Sequence, residues 1–389
     1  MANTSSTKFG FCLPIFAAPG APMFRTPSYE RLDAATTLGL GVTADQLGYD
    51  SLWVADHLFL GRDDAILEGW TTLSVLAGGT TQAQLGMIHM AHFLRHPSMT
   101  AKMTATLDQL SGGRLIHFVD GGNRAAEFDA YGLPWAEPVE ARIAHLVEEL
   151  QLTHALWTQT GPVDFTSAHY ELRGAVCEPK PLQDPHPPIW LGEANPDMLD
   201  AVARYAQGWN SCPATLEEMA RRLDALRAAC KQVDRDPAEL TISLEMQILV
   251  AEDLPALRER MQWMIDLAKT HQPGQTIAAD VAAFAAGETE DLPASLRQSS
   301  FVGTAEQVQA QIEPYVELGV SHFMLWFLDA PDETGMRLFI DHPKSVAGSV
   351  ARYAAGVLCS AIQHSIARAV RSVAEQTVNP AVSHVELGV

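Results

Sequence analysis

The alternation of short apolar runs with longer amphipathic ones constrains this chain most. Eight runs of strand length are each followed by a stretch with helical periodicity. Strand then helix, repeated, is typical of right-handed parallel units. The eight units predict an α/β fold, a (β/α)8 TIM barrel, with a doubly wound open sheet as the alternative. The predicted strands cover residues 8–14, 50–55, 84–91, 114–119, 189–192, 208–212, 240–250 and 322–328.

Two stretches interrupt this pattern. Residues 163–172 alternate polar and apolar side chains, which predicts a small antiparallel excursion after strand four. The Pro-rich residues 178–188 then predict an extended connector. Residues 254–299 predict a second excursion after strand seven, with one helix and an Ala-rich acidic stretch. Residues 303–304 are interpreted as the cap of the next helix.

The last residues differ from the rest. Residues 1–340 are assigned to the barrel domain and residues 341–389 to a C-terminal helical extension, because apolar side chains recur there at helical spacing. An amphipathic helix needs a surface to cover its apolar row. We therefore expect a homodimer or higher homo-oligomer with residues 346–373 at or beside the interface. A membrane-surface helix is the less favoured alternative, because basic residues are few.

Composition and net charge limit the binding partners and the cellular location expected for this protein. The formal net charge of −21 disfavours nucleic acid and anionic membranes as partners. Five cysteines at wide, irregular spacings favour a reducing compartment. The first residues do not have the order of a signal peptide, and no apolar run reaches the roughly 18–20 residues of a membrane span. A cytoplasmic location is expected.

Asp56 and His57 follow the second predicted strand. In a barrel this position faces the pocket, where an imidazole exchanges protons near neutral pH and an adjacent carboxylate fixes its tautomer. Both are candidate catalytic residues. A helix cap or a loop hydrogen bond is the alternative.

Three histidines lie close together at the third strand, His89 within it and His92 and His96 after it. Their spacings suit a shared metal ion only on a helix, and here they straddle a strand and a loop. No metal site is predicted. His89 is instead a candidate pocket residue, and His96 a structural start to the next helix.

The segment Asp120-Gly121-Gly122-Asn123-Arg124 follows the fourth strand. Glycines at a strand's carboxyl end let a planar or phosphorylated ligand approach the backbone, because no Cβ stands in the way. An arginine is well suited to bind phosphate in an acidic protein. The pattern is not a GxGxxG fingerprint, so a Rossmann site is poorly supported. A plain turn is the alternative.

The segment Gly192-Glu193-Ala194-Asn195-Pro196 leads from the fifth strand into a helix. Amides at a helix start bind phosphate or a carbonyl edge. The alternative is ordinary capping by Asn195 with proline at the first helical position.

Together these motifs resemble a known family. In order along the chain, YDSLWVADHLF, RHPSMTAKMTATLDQLSGGRL, GGNRAAEFDAYGLPW, EPKPLQDPHPPIWLGEANPDMLDAVARYAQGWN and VGTAEQVQAQIEPYVELGVSHFML are similar to the bacterial luciferase-like family of flavin-dependent oxidoreductases. The resemblance runs from about residue 8 to residue 340. It implies a TIM barrel that holds either reduced FMN or the deazaflavin F420.

The resemblance also implies roles for single residues. His57 and Asn123 would lie by the reactive ring, with Asp56 beside them, as catalytic residues. A non-prolyl cis peptide is expected near residues 88–90. The implied cofactor-binding residues are His89, Gly121, Gly122, Arg124, Glu127, Arg142, Gly192, Glu193 and Ala194.

The implied activity is that of a two-component monooxygenase. Such an enzyme takes reduced FMN from a separate flavin reductase and uses O2 to oxygenate a small organic substrate. An F420-dependent oxidoreductase is the first alternative, and a non-catalytic flavin-binding barrel is an alternative of another class. The Ala55-Asp56-His57 triplet occurs with both cofactors and does not decide between them, while Asp120 stands where many members have glycine.

Overall fold

The computed structural model describes residues 7–342. The predicted C-terminal helix and the oligomer contacts assigned to it lie outside the described residues. Over residues 7–342 the strands are β1 Lys8–Cys12, β2 Ser51–Val54, β3 Gln84–Met87, β4 Met90–Ala91, β5 Leu115–Asp120, β6 Val163–Thr166, β7 Glu171–Ala175, β8 Ile189–Gly192, β9 Gly208–Ser211, β10 Thr241–Ala251, β11 Ser300–Thr304 and β12 His322–Phe327.

The helices follow the strands in the order expected from the sequence. Within the same residues, no helix has the length and apolar character needed to cross a membrane. The helices are α1 Ala34–Leu47, α2 Gly69–Gly79, α3 Pro97–Ser111, α4 Ala125–Tyr131, α5 Val139–Thr158, α6 Pro196–Tyr205, α7 Leu216–Gln232, α8 Leu254–His271, α9 Ala279–Ala285, α10 Ala305–Leu318 and α11 Thr334–Ile340.

Eight parallel strands close into a barrel. Their order around the barrel is β1, β2, β3, β5, β8, β9, β10 and β12, with β12 pairing back onto β1. The long strand β10 closes the ring, because its first residues pair with β9 and its middle residues pair with β12. The predicted (β/α)8 barrel is confirmed, and the open-sheet alternative is excluded.

The third barrel strand is broken in the middle. The peptide bond between Ile88 and His89 is cis, which agrees with the non-prolyl cis peptide expected there. After this bond the strand resumes as β4, where Met90 pairs with Val119 of β5. The break places His89 at the carboxyl end of the barrel.

Both predicted excursions are present. After α5, strands β6 and β7 form an antiparallel pair. After β10, helices α8 and α9 pack against each other over a separate apolar cluster. Strand β11, which pairs with the end of β10, was missed in the sequence. Its last residue, Thr304, is also the N-cap of α10 in a capping box with Gln307, so the helix signal concealed the strand.

Large aromatic rings fill the lower barrel. The rings of Trp53 and Trp190 lie 5.4 Å apart, and Phe118 meets Trp53 edge to face at 6.1 Å. Gly86 faces Trp53 so closely that a Cβ there would lie 2.2 Å from the indole. This packed floor, like the interior layers of other such barrels, leaves the carboxyl end as the place for a pocket.

Candidate active site

A pocket at the carboxyl end of the barrel gathers most of the residues singled out in the sequence. It lies above the ends of β2, β4 and β5, and the first turn of α4 closes one side. Glu193 belongs to the same region, because its carboxyl interacts electrostatically with Asp120 and His89. The roles of these residues stay predictions. The pocket is lined by Asp56, His57, His89, Asp120, Gly122, Asn123, Arg124 and Glu127, among others.

His57 is held by Glu127. The Nδ1 atom of His57 lies 3.2 Å from Glu127 Oε2, which also accepts a hydrogen bond from the backbone N–H of Leu58 at 3.1 Å. Burial lowers the pKa of His57 below its usual value, although Glu127 acts in the opposite direction. Since the carboxylate accepts the Nδ1 proton, the neutral ring keeps Nε2 as its acceptor.

The Asp56 carboxylate contacts Arg95 and not His57. Its carboxylate forms two hydrogen bonds with the Arg95 guanidinium, at 2.8 and 3.0 Å, and accepts one from the N–H of Ala91 at 3.2 Å. Successive residues after a strand project in different directions. The carboxylate at His57 is therefore Glu127, not the adjacent Asp56 expected from the sequence, and Asp56 instead ties β2 to the loop before α3.

His89 forms an ion pair inside the pocket. Its Nδ1 atom lies 2.5 Å from Asp120 Oδ2, and the other oxygen of Asp120 accepts the N–H of Gly122 at 2.8 Å. Burial opposes protonation of His89, but Asp120 and then Cys212 outweigh it and hold the pKa of the imidazole well above its usual range. The pKa of Asp120 is lowered, because His89 outweighs the effect of burial.

The other two histidines, His92 and His96, contact residues outside the pocket. His92 is buried, with Nδ1 3.3 Å from Glu149 Oε2. His96 is the N-cap of α3 and accepts a hydrogen bond from the N–H of Ser98 at 3.3 Å. The structural role expected for His96 is confirmed.

Arg124 contacts two neighbouring groups of the protein and is partly exposed to solvent. Its Nε atom lies 3.2 Å from Glu127 Oε1, and its Nη1 atom donates to the carbonyl of Phe59 at 3.2 Å. The side chain is 34% exposed, so part of the guanidinium still faces solvent. Arg124 can bind an anion, but it also supports the carboxylate that holds His57.

Arg142 supports the glycine loop. Its Nε atom donates to the carbonyl of Gly121 at 3.1 Å, and Nη1 donates to the carbonyl of Ala136 at 3.0 Å. The guanidinium also stacks on the ring of Trp135 at 4.1 Å. These contacts shape the loop that follows β5, and a direct role for Arg142 in cofactor binding stays a prediction.

The segment after β8 combines a cap with an unusual backbone. Asn195 accepts an N–H from the first turn of α6 at 2.9 Å, as ordinary capping requires. Glu193 has a φ of 71°, a left-handed conformation that is uncommon outside glycine, and its carbonyl accepts the indole N–H of Trp209 at 2.8 Å. Burial, and then Asp120, raise the pKa of Glu193. Gly192 and Ala194 flank this residue.

Several residues near the pocket floor were missed in the sequence. Glu245 accepts the indole N–H of Trp326 at 2.6 Å and lies 3.5 Å from the Arg25 guanidinium. Gln247, on the same strand, is fully buried, and its amide has no hydrogen-bond partner within the described part of the chain. Polar residues at alternate positions of an otherwise apolar strand, Ser243, Glu245 and Gln247, were the available signal.

A larger cleft of about 760 Å³ opens at the opposite, amino end of the barrel. Gln84, Glu239 and His322 are among its lining residues. None of the residues singled out in the sequence as catalytic or cofactor-binding lines it. In barrels of this type the chemistry is at the carboxyl end, so the smaller pocket is the candidate active site.

Comparison with known proteins finds relatives among oxidoreductases. The chain is 32% identical over 252 residues to the phthiodiolone/phenolphthiodiolone dimycocerosates ketoreductase of Mycobacterium sp. (strain JLS). That match covers 59% of this chain and 64% of the ketoreductase, so the chain spans less than two thirds of that relative's length.

Two solved structures share the fold at lower identity. An F420-dependent secondary alcohol dehydrogenase in complex with an F420-acetone adduct superposes with a TM-score of 0.66 and 20% identity, covering 88% of this chain and 99% of the other. The long-chain alkane monooxygenase LadA superposes with a TM-score of 0.70 and 15% identity, covering 87% and 91%.

A family model described as luciferase-like monooxygenase matches residues 7–322, which is most of the chain. The match spans the barrel from β1 to β10 and ends at the first residue of β12. The chain therefore belongs to the luciferase-like monooxygenase family, whose members are flavin- or F420-dependent oxidoreductases.

Proposed function

We propose that this protein transfers a hydride between the deazaflavin F420 and a substrate that is a ketone in one direction and a secondary alcohol in the other. The observation that carries the proposal is the His57–Glu127 contact, which leaves a neutral imidazole with Nε2 as its acceptor in the pocket. Alcohol oxidation and ketone reduction both need one proton exchanged at the substrate oxygen, and an imidazole near neutral pH suits that exchange.

The pocket has groups that fit a flavin-type ring. Gln247, two residues beyond Glu245 on β10, has a buried side-chain amide with no hydrogen-bond partner among residues 7–342. Buried polar atoms are rarely left without hydrogen bonds, so a ligand with alternating N–H and C=O groups suits this floor. Asn123 and Gln247 would hold the ring, and Arg124 would meet an anionic arm. When bound, the deazaflavin supplies or accepts the hydride.

The residues of the chain handle the proton and the orientation. His57 takes the hydroxyl proton of an alcohol at Nε2, or returns it to the oxygen of a ketone. Glu127 fixes the ring by accepting the Nδ1 proton, and Leu58 fixes Glu127 through its backbone N–H. Burial of Glu127, which is 1% exposed, strengthens this contact by excluding water.

The similarities support carbonyl chemistry. One relative is named a ketoreductase, and one superposed structure is titled a secondary alcohol dehydrogenase that uses F420. These names describe interconversion of a carbonyl and an alcohol in those proteins. The proposal applies the same class of reaction to this chain.

A second candidate is the two-component monooxygenase that the sequence favoured. It would bind reduced FMN from a separate reductase and use O2 on a small apolar substrate. The superposition on the alkane monooxygenase, with a TM-score of 0.70, supports it. His57 would then serve as the proton donor instead of the base.

Two titrations separate the candidates. Oxidised F420 and reduced FMN, the latter without O2, are titrated into the purified protein, and the dissociation constants are compared. Tight F420 binding with alcohol-dependent F420 reduction supports the proposal. Binding of reduced FMN alone, with substrate-dependent O2 consumption, supports the second candidate.

His57→Ala should lower turnover by about 10²–10⁴-fold while cofactor affinity stays nearly unchanged, as for a lost acid or base. His154→Ala, on the exposed side of α5, is the matched control and should retain turnover. Unaltered turnover in His57→Ala would remove His57 from the chemistry.

A further inference from the structure

Three side chains with metal-binding atoms meet at the floor of the pocket. His89 follows β3, Cys212 follows β9, and Glu245 lies in β10, so three separate barrel strands hold them. Their ligand atoms all lie within 4.8 Å of one another. In tetrahedral zinc sites neighbouring ligand atoms are roughly 3.3–3.8 Å apart, as bond lengths of about 2.0–2.3 Å require.

His89 is already oriented for a metal. Asp120 occupies its Nδ1 atom at 2.5 Å, which leaves Nε2 as the ligand atom. The Cys212 sulfur and a ring nitrogen of His89 lie within 4.8 Å of each other. A carboxylate behind a histidine ligand is the usual arrangement in metal sites, where it fixes the ring and raises its basicity.

Contacts with neighbouring side chains also fix the orientation of Glu245. Trp326 donates its indole N–H to Oε1 at 2.6 Å, and Arg25 lies 3.5 Å from the same oxygen. Both contacts use Oε1, so Oε2 is the oxygen that would bind an ion. Glu245 is 2% exposed, whereas His89 and Cys212 are half-buried, so an ion can enter from the pocket side.

The charges favour a cation. Asp120 and Glu245 are buried carboxylates, Cys212 becomes anionic when it binds a metal, and the Arg25 guanidinium lies 3.5 Å from Glu245. Thiolate plus carboxylate balance the charge of a divalent ion, and His89 becomes a neutral ligand when the ion displaces the proton from Nε2 to solvent. Nitrogen and sulfur ligands select zinc-type ions over calcium and magnesium, which prefer oxygen.

We propose that His89, Cys212 and Glu245 bind one divalent cation of the zinc type, with its fourth position open to the pocket. The site does not depend on the proposed reaction. Its test uses the protein without flavin or F420, so failure of one proposal leaves the other standing.

The test is a Co²⁺ titration of the full chain, kept reduced and freed of metal beforehand. The wild-type protein should take up one equivalent with a thiolate-to-cobalt charge-transfer band in the near ultraviolet, and Zn²⁺ should displace it. C212S should lose the band, E245Q should keep it with weaker binding, and D120N should bind about 10–100-fold more weakly. C177S, at a buried thiol beside the Ala101 carbonyl, is the control and should keep the band.

A second readout guards against a misfolded variant. In the wild-type protein, saturating Zn²⁺ should slow alkylation of Cys212 at least tenfold, as followed by peptide mass spectrometry, while alkylation of Cys177 in the same sample stays unchanged. A wild-type protein without the charge-transfer band, a band that persists in C212S, or equal alkylation of Cys212 with and without Zn²⁺ would overturn the proposal.

Discussion

The His57–Glu127 contact makes one proton transfer depend on two residues that are 70 positions apart in the chain. Sequence patterns placed His57 at a strand end, and the structure has it there. Its partner was not predictable, because the contact forms only when α4 folds over β2. Adjacency in sequence pointed to Asp56, whose side chain turns to Arg95 instead.

Glu127→Gln tests this contact through pH. A base must be neutral, so kcat/KM for alcohol oxidation falls as pH drops through the pKa of His57. Glu127 raises that pKa against the effect of burial, so its removal moves the fall to lower pH. The plateau should also drop about tenfold or more, since the ring is no longer held.

Glu148→Gln is the matched control, because Glu148 contacts His169 at 2.9 Å on the protein surface. Its kcat/KM profile should follow the wild type. A Glu127→Gln profile with an unchanged acid limb would contradict the assigned role of the pair.

Arg124 is the residue expected to meet an anionic cofactor arm. Arg124→Ala should weaken cofactor binding by about 1.5–3 kcal/mol, the scale of a hydrogen bond to a charged group. Equilibrium titration measures the change. Arg173→Ala removes a surface arginine that is 82% exposed and should have no effect. Equal dissociation constants for Arg124→Ala and wild type would leave Arg124 with only its contact to Glu127.

At the scale of elements, periodicity predicted the eight barrel strands to within a few residues. The break between β3 and β4 was expected only from the family resemblance, and β11 was missed. A five-residue strand that ends on a helix cap has too few residues to show a period of two. The polar stripe of β10 was visible in the sequence, but which side faced the interior depended on closure of the barrel.

The barrel wall gives a prediction about packing. Gly86→Ala places a Cβ 2.2 Å from the Trp53 ring, which must then shift within a filled interior. Overpacking of this kind costs about 1–3 kcal/mol of unfolding free energy. Chemical denaturation measures it.

The matched control is Gly78→Ala in α2, where no atom lies within 4 Å of the added Cβ. That change should leave stability unchanged or raise it by up to about 1 kcal/mol, since alanine favours helix. If both variants had the same midpoint as the wild type, the Trp53 layer would be loosely packed.

At the scale of the whole molecule, two buried histidines link folding to pH. His117 and His322 are 2% and 1% exposed. Burial lowers the pKa of each to about 3, with smaller contributions from His186 to the first and Lys8 to the second. Both rings are therefore neutral in the fold, whereas in the unfolded chain they take up a proton near pH 6.5.

The sign of the pH effect follows from these pKa values. Above about pH 6.5 the burial of each neutral ring costs no unfolding free energy through protonation. As the pH falls from there toward 3, the unfolded chain takes up protons that the folded chain does not, and unfolding free energy is lost. Each histidine should remove about 1.4 kcal/mol of unfolding free energy per pH unit in that window. The Nε2 atom of His322 also lies 2.8 Å from the Ser51 hydroxyl, which accepts the indole N–H of Trp53.

His322→Gln removes the titration and keeps an acceptor for Ser51. Urea unfolding at several pH values between 5 and 8 should therefore show a shallower acid slope than the wild type, by about 1.4 kcal/mol per pH unit below pH 6. His271→Gln, at the end of α8, changes the histidine count equally and should follow the wild-type slope. Parallel curves for all three proteins would mean that folding does not lower the pKa of His322, so that burial of this ring would not make the fold sensitive to acid.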